Sequence, residues 1–280
     1  MSRILVVDDD RTTRHVLQNV LNTNGFDTSV AKDGVEALEK LRHEPIDLLL
    51  LDVWMPRMNG LELLAKLRRR KTRPRVIVMT SDDAPETLLE AVREQAFKYV
   101  NKPIAPPALL EAVREVLESP DPPRIEVVSA RPEWVELLVP CTREAAERIG
   151  EVMTHLDANL APSVRDATAY AFRELLLNAV EWGGRLDPSR KVRIACLRSK
   201  RMLMYRIADP GPGFAIEDLP HAAISYGPDA PIAHMQVREE KGIRPGGFGL
   251  LTVRASVDEL LYNEKRNEVV FVKYLDPSEL

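Results

Sequence analysis

Only two of the 280 residues are cysteine, Cys141 and Cys196, and neither has a second cysteine at the C-x-x-C spacing that metal sites use. A disulfide framework is thereby excluded, and the pair reads as buried filler in a reducing compartment. Long apolar runs are missing as well. The apolar run around residues 46–51, which includes Asp47, falls far short of the about 20 residues that span a bilayer. Met1-Ser2-Arg3 leads straight into a strand-like run and does not resemble a signal peptide, so the expectation is a cytoplasmic protein without membrane contact. Basic excess is also absent: 39 Lys and Arg stand against 43 Asp and Glu, a net charge of −4, and neither half of the chain departs far from balance. That argues against a nucleic-acid-binding face, and Arg68-Arg69-Arg70-Lys71 reads as a solvated helix end. No internal repeat is visible. No G-x-x-x-x-G-K-[ST] occurs, which excludes a Walker-type nucleotide site, and no helix-turn-helix follows Pro123.

What is present divides in two, as 280 residues at roughly 100–200 per domain suggest. Residues 1–118 alternate short apolar runs (4–7, 26–30, 46–51, 76–79 and 99–100) with helix-period stretches such as Val16, Leu17, Val20 and Leu21. That alternation predicts a flavodoxin-like α/β domain: five parallel strands in the order 2-1-3-4-5, five helices, and chemistry at the carboxyl ends of the strands. Residues 119–124 follow as a proline-rich spacer, Ser119-Pro120-Asp121-Pro122-Pro123, too short and stiff to continue a helix. In residues 125–280 strands are expected at 125–129 and 134–139, then a helix over 142–160. A second helix follows Ser163, whose side chain with Asp166 makes a capping-box pattern, and it ends at Gly183-Gly184. Strands at 192–197, 203–208, near 260–261 and 269–274 complete an α+β sandwich with helices on one face of a mixed sheet.

Asp8, Asp9 and Asp10 follow the first strand and Asp52 the third, and these strands are neighbours in such a sheet. Like charges brought to one edge require a compensating cation, and hard oxygen donors suit Mg²⁺. Thr80 at the fourth strand and Lys102 after the fifth add a hydroxyl and an ammonium, which completes a device for holding a phosphoryl group on a carboxylate. Asp10 is better read as the cap of the first helix. ILVVDDD at 4–10, LLLLDVWMPRMNG at 48–60, VIVMTS at 76–81 and YVNKP at 99–103 together resemble a two-component receiver domain over its full length. The resemblance implies phosphorylation of Asp52 from a phosphohistidine on a sensor histidine kinase or phosphotransfer protein. It implies Mg²⁺ held by Asp9, Asp52 and the backbone carbonyl of Trp54, with Asp8 acting through water. Thr80 and Lys102 would contact phosphoryl oxygens, Tyr99 would be the switch aromatic beside Thr80, and Lys102–Pro103 would be a cis bond.

The second half carries three elements that could build an ATP site. Glu174 and Asn178 lie four apart in RELLLNAVEWGG, on one helix face; the carboxylate can take a proton from a hydroxyl and the amide oxygen suits Mg²⁺. Asp209-Pro210-Gly211-Pro212-Gly213-Phe214 follows an apolar strand, so that Asp209 can accept from a purine amino group while Gly211 and Gly213 admit the ring. Gly246-Gly247-Phe248-Gly249 opens a helix and offers backbone N–H groups to phosphate. In this order the elements resemble the nucleotide boxes of the GHKL superfamily, whose fold is the Bergerat-type ATPase sandwich. Within that superfamily residues 125–280 are most similar to the anti-sigma-factor serine kinases.

This resemblance implies Mg²⁺ and ATP as cofactors, Asn178 on the metal, Glu174 as general base, Asp209 on adenine and residues 215–245 as a lid. Trp182 stands where the family commonly has His, and the glycine turn lacks a basic residue, so Lys241 and Arg244 are candidates to supply phosphate contacts. The function implied is a response regulator whose Asp52 controls a serine kinase and partner-switching domain acting on a STAS-type anti-sigma-factor antagonist or on a sigma factor. A non-catalytic, ATP-gated binding module is one alternative. A hybrid histidine kinase fragment is another, but its phosphorylatable histidine could only be His155. A homodimer through either domain is compatible with the sequence.

Overall fold

The computed structural model describes residues 2–68, 73–81, 84–121, 124–131, 133–214, 240 and 248–276. It divides into two compact units, Met1–Pro122 and Pro123–Leu280. Arg69, Arg70 and Lys71 of the basic cluster lie outside the described residues.

In the first unit five strands alternate with five helices: β1 (Arg3–Val7), α1 (Arg11–Thr23), β2 (Asp27–Ala31), α2 (Gly34–His43), β3 (Leu48–Asp52), α3 (Gly60–Arg68), β4 (Arg75–Thr80), α4 (Pro85–Arg93), β5 (Lys98–Asn101) and α5 (Pro106–Glu118). Every pairing is parallel and the order is β2-β1-β3-β4-β5, the flavodoxin-like arrangement. The near-continuous apolar runs are explained by burial of both sheet faces. Ile4, Val6, Leu48, Leu50, Ile77 and Met79 pack on one side with Leu17 and Leu21 of α1 and Leu109 and Val113 of α5. Leu5, Val7, Leu49, Leu51 and Val78 pack on the other with Leu63, Leu64 and Leu67 of α3. Each fully buried aliphatic side chain contributes about 1.5–3 kcal/mol. Asp10 caps α1, accepting from the backbone N–H groups of Thr12 and Thr13.

The second unit contains β6 (Glu126–Arg131), β7 (Trp134–Pro140), α6 (Arg143–Leu156), α7 (Pro162–Asn178), a π-helical turn (Ala179–Gly183), β8 (Lys191–Arg198), β9 (Met202–Ala208), α8 (Gly249–Ser256), β10 (Glu259–Tyr262) and β11 (Glu268–Tyr274). The sheet order is β10-β11-β9-β8-β7-β6, with α6 against β7 and α7 against β9 and β11. This is an α+β domain, but every described pairing is antiparallel, not mixed. The reason lies in the connections: two helices between β7 and β8 return the chain reversed, and β11 inserts between β9 and β10, keeping that like-directed pair apart.

Two helix boundaries also differ from the sequence expectation. Pro162 opens α7 after an Ala161 cap that makes no side-chain hydrogen bond, so Ser163 lies inside the first turn and does not cap. Helix α6 stops at Leu156, short of residue 160, because Asp157 turns inward, where Tyr205 Oη and the Arg198 guanidinium donate to its carboxylate.

Candidate functional site

Carboxylates converge in the first unit because β1 and β3 are hydrogen-bonded neighbours and both end at the same edge. Ligand atoms of Asp8, Asp9 and Asp52 all lie within 4.8 Å of one another; Asp8 and Asp52 are buried and Asp9 is exposed. Lys102, carried in by the loop after β5, places Nζ 2.6 Å from Asp8 Oδ2 and 3.0 Å from Asp52 Oδ1. Backbone groups add to this: Asp10 N donates to Asp8 Oδ1 and Val53 N to Asp52 Oδ1, each at 2.9 Å.

Burial pushes the Asp52 carboxyl above its ordinary value, with Asp8 adding to the effect, while Lys102 and the Val53 N–H pull it back. For Lys102, burial works against the charge, but hydrogen bonds and attraction to Asp8 and Asp52 prevail and hold its pKa above the usual lysine value. Three carboxylates with one ammonium, one carboxylate reachable from solvent, form a donor set that fits a hard dication such as Mg²⁺. Thr80, fully buried at the end of β4, accepts from Lys102 N at 2.8 Å through its carbonyl. Tyr99 is half-buried against the α3 side of the core, Trp54 is exposed beside Asp52, and Lys102–Pro103 is cis.

Two supports were not legible in the sequence. Arg14 Nη1 donates to the carbonyls of Asp8 (2.6 Å) and Asp9 (2.9 Å), bracing the acidic loop from the first helix. Arg57, at φ 67°, donates through Nε to the buried Asp33 (2.7 Å), tying the loop after Asp52 to the cap of α2. Both arginines look like solvated charges in the linear pattern.

In the second unit, Glu174 and Asn178 are half-buried near the end of α7, and the helix then widens into the π-helical turn. Such turns recur at functional sites because they re-aim the helix without ending it. Glu174 reaches the start of α8: a β-carbon at Gly249 would lie 2.3 Å from its Oε2, so the carboxylate occupies the space a side chain there would take. A carboxylate at a helix N-terminus is favoured by the helix dipole.

Asp209 leaves β9 with Oδ1 accepting from Gly211 N at 2.6 Å, and its carboxylate packs against the backbone of Gly183, at the end of the π-helical turn. Burial raises its pKa, with the Gly211 N–H and Arg190 acting the other way. Thus Glu174 meets Gly249, and Asp209 meets Gly183 and Gly211. Gly213 differs from the sequence reading, because its α-carbon faces the turn between β10 and β11. Lys241, Arg244, Gly246, Gly247 and the span 215–239 lie outside the described residues. Trp182 is exposed. His155 sits in the last turn of α6 with Nδ1 on Glu151 O at 2.8 Å, an ordinary helix contact.

These geometries agree with the families to which the segments are similar. Residues 4–114 match the response regulator receiver domain, and residues 138–273 match the histidine kinase-like ATPase domain. The chain is therefore a receiver domain followed by a histidine kinase-like ATPase domain. Among curated proteins it is 38% identical over 144 residues to the response regulator MprA of Mycobacterium leprae, covering 51% of this chain and 63% of that one. With MprA of Mycobacterium avium it shares 39% identity over 120 residues, 43% of this chain and 53% of that protein. The chain thus spans less than two thirds of these relatives' length.

Among solved structures, a CheY-like receiver domain protein from Methanospirillum hungatei aligns with TM-score 0.41 at 31% identity, over 42% of this chain and 94% of its own. Response regulator TrrA of Thermotoga maritima, in complex with Mg²⁺ and BeF, aligns with TM-score 0.39 at 34% identity, over 42% of this chain and 100% of its own. No helix among the described residues is long and apolar enough to cross a membrane.

Proposed function

We propose that this chain is a response regulator in which phosphorylation of Asp52 by a sensor histidine kinase or phosphotransfer protein controls an ATP-dependent serine kinase of the anti-sigma type. Its targets are a STAS-type anti-sigma-factor antagonist or a sigma factor, engaged by partner switching. The observation that carries the reading is the position of Glu174, a half-buried carboxylate held against the first residue of α8, one helical turn from Asn178. A chain that bound nucleotide only to change shape would have no need of a base in that place.

In the receiver, a carboxylate oxygen of Asp52 attacks the phosphorus of the donor phosphohistidine. The P–N bond breaks, an acyl phosphate forms, and the departing histidine nitrogen takes up a proton. Lys102 already stands 3.0 Å from Asp52, placed to meet the new charge with Thr80. Asp8, Asp9, Asp52 and the Trp54 carbonyl would hold Mg²⁺, which supplies charge neutralisation when bound. In the ATPase domain Asp209 accepts from the adenine amino group and Asn178 offers a neutral oxygen to Mg²⁺. Glu174 takes the proton from a partner's serine hydroxyl as that oxygen attacks the γ-phosphorus and the bond to ADP breaks.

The test is to incubate the chain with Mg²⁺ and ATP and candidate antagonists, with and without a small-molecule phosphodonor for Asp52. Acid-stable phosphate on a partner serine is expected, abolished by Glu174→Gln with ATP binding retained. Failure to bind ATP at all overturns the proposal. Regulation that survives Glu174→Gln would instead establish the non-catalytic binding module.

A further inference from the structure

The turn between β10 and β11 lies some fifty residues after the Asp209–Phe214 loop in sequence, yet the two meet repeatedly. Asp209 N donates to Asn267 O at 2.8 Å, and Asn267 Nδ2 donates to Gly211 O at 3.2 Å. Gly213 adopts φ 87°, and a β-carbon there would overlap the Lys265 carbonyl, so this glycine serves the approach of the turn. Phe214 sets its ring edge to face with Tyr262, 5.8 Å between centroids at 83°.

The turn is itself rigid. Asn263 Oδ1 accepts from the backbone N–H groups of Asn267 (3.1 Å) and Glu268 (3.2 Å), and Asn263 Nδ2 donates to Asn267 Oδ1 at 2.8 Å. Arg190 Nη2 donates to Pro210 O at 2.5 Å. Gly211 is thereby held at both ends, its N–H on the Asp209 carboxylate and its carbonyl on Asn267.

We infer that the β10–β11 turn is the template that sets the purine-reading loop, with Asn267 a positioning residue for nucleotide selectivity. The inference rests on the reading of Asp209–Phe214 as a purine site. Asn267 touches no substrate in this account. It acts through Gly211, whose N–H orients the Asp209 carboxylate, a group that accepts from an exocyclic amino group and not from a carbonyl. A loop released at Gly211 would let that carboxylate swing, so that ATP loses its advantage over GTP before overall binding is lost.

The experiment measures dissociation constants of ATP and GTP by calorimetry on the full chain, wild type and Asn267→Ala, alongside thermal melts. The expected result is ATP binding weakened about 3- to 10-fold, the size of one lost hydrogen bond. GTP binding should change less, so that the ATP:GTP preference falls, with the melting of the ATPase domain little changed. Gly213→Ala is expected to act in the same direction and more strongly; should it fail to fold, the Asn267 measurement decides. An unchanged ATP:GTP preference in Asn267→Ala overturns the inference, as does a loss shared equally by both nucleotides and matched by a fall in melting temperature. If the wild-type chain binds neither nucleotide, the purine reading fails, and the inference with it.

Discussion

Lys102 is shared between two buried carboxylates, and the balance at Asp52 decides how this pocket responds to pH. The Asp52 carboxyl is raised chiefly by burial, so between its unfolded and folded pKa the native state holds more protons than the unfolded chain. Stability contributed by this group therefore falls as pH rises through that window, and the full cost of the ionised form is present above it. Asp52→Asn removes the charge and leaves Lys102 its bond to Asp8. It is expected to stabilise the metal-free receiver by on the order of 1 kcal/mol at pH 7, the range of a relieved functional site. Denaturant unfolding in EDTA at pH 4, 5.5 and 7 checks this, and a less stable variant would show that Lys102 attraction outweighs desolvation at Asp52. Mg²⁺ should raise the melting temperature of the wild type more than that of the variant. At this scale the clustering of Asp8, Asp9, Asp52 and Lys102 was legible because strand ends announce themselves as apolar runs closing on a charge. Arg14, Arg57 and Asn267 were not, since their partners lie elsewhere in the chain or are backbone carbonyls, which have no signature in a side-chain pattern.

Among the elements, α6 shows why a boundary can be misplaced. Residues 157–160 extend an acceptable helical pattern, but Asp157 is drawn into the sheet by Tyr205 Oη at 2.5 Å and by Arg198, which also donates to the Leu156 carbonyl. Tyr205 stacks on Phe271, 4.8 Å between centroids, so the clasp sits in the centre of the core. Burial raises the Asp157 carboxyl, with Arg198 and Tyr205 opposing. Arg198→Met is expected to destabilise the ATPase domain by about 3–5 kcal/mol at pH 7, the cost of an unpaired buried charge. That loss should shrink as pH falls and Asp157 takes up its proton, and Asp157→Asn in the same chain should restore part of it. Urea unfolding of both variants at pH 5 and 7.5 provides the comparison, and equal losses at both pH values would disprove the account. The capping box at Ser163 failed for a local reason: Pro162, with its φ already helical and no N–H to satisfy, starts α7 two residues early.

For the whole molecule, the division between Pro122 and Pro123 predicts two cooperative unfolding transitions, since each unit buries its own set of apolar side chains. Calorimetry should show Mg²⁺ with beryllofluoride moving one transition and ATP moving the other; a single transition moved by both would contradict the division. The sequence by itself determined the receiver, because strand order, acidic edge and Lys102 follow from five short apolar runs and the residues that end them. It also placed Glu174 and Asn178 on one helix and Asp209 at the end of a strand. Only the tertiary structure decided that the second sheet is antiparallel throughout, that Gly213 serves the β10–β11 turn, and that Asn267 holds Gly211. These are contacts between segments far apart in the chain. Periodicity reports which face of an element is buried, whereas what that face is buried against is settled only when the whole core closes.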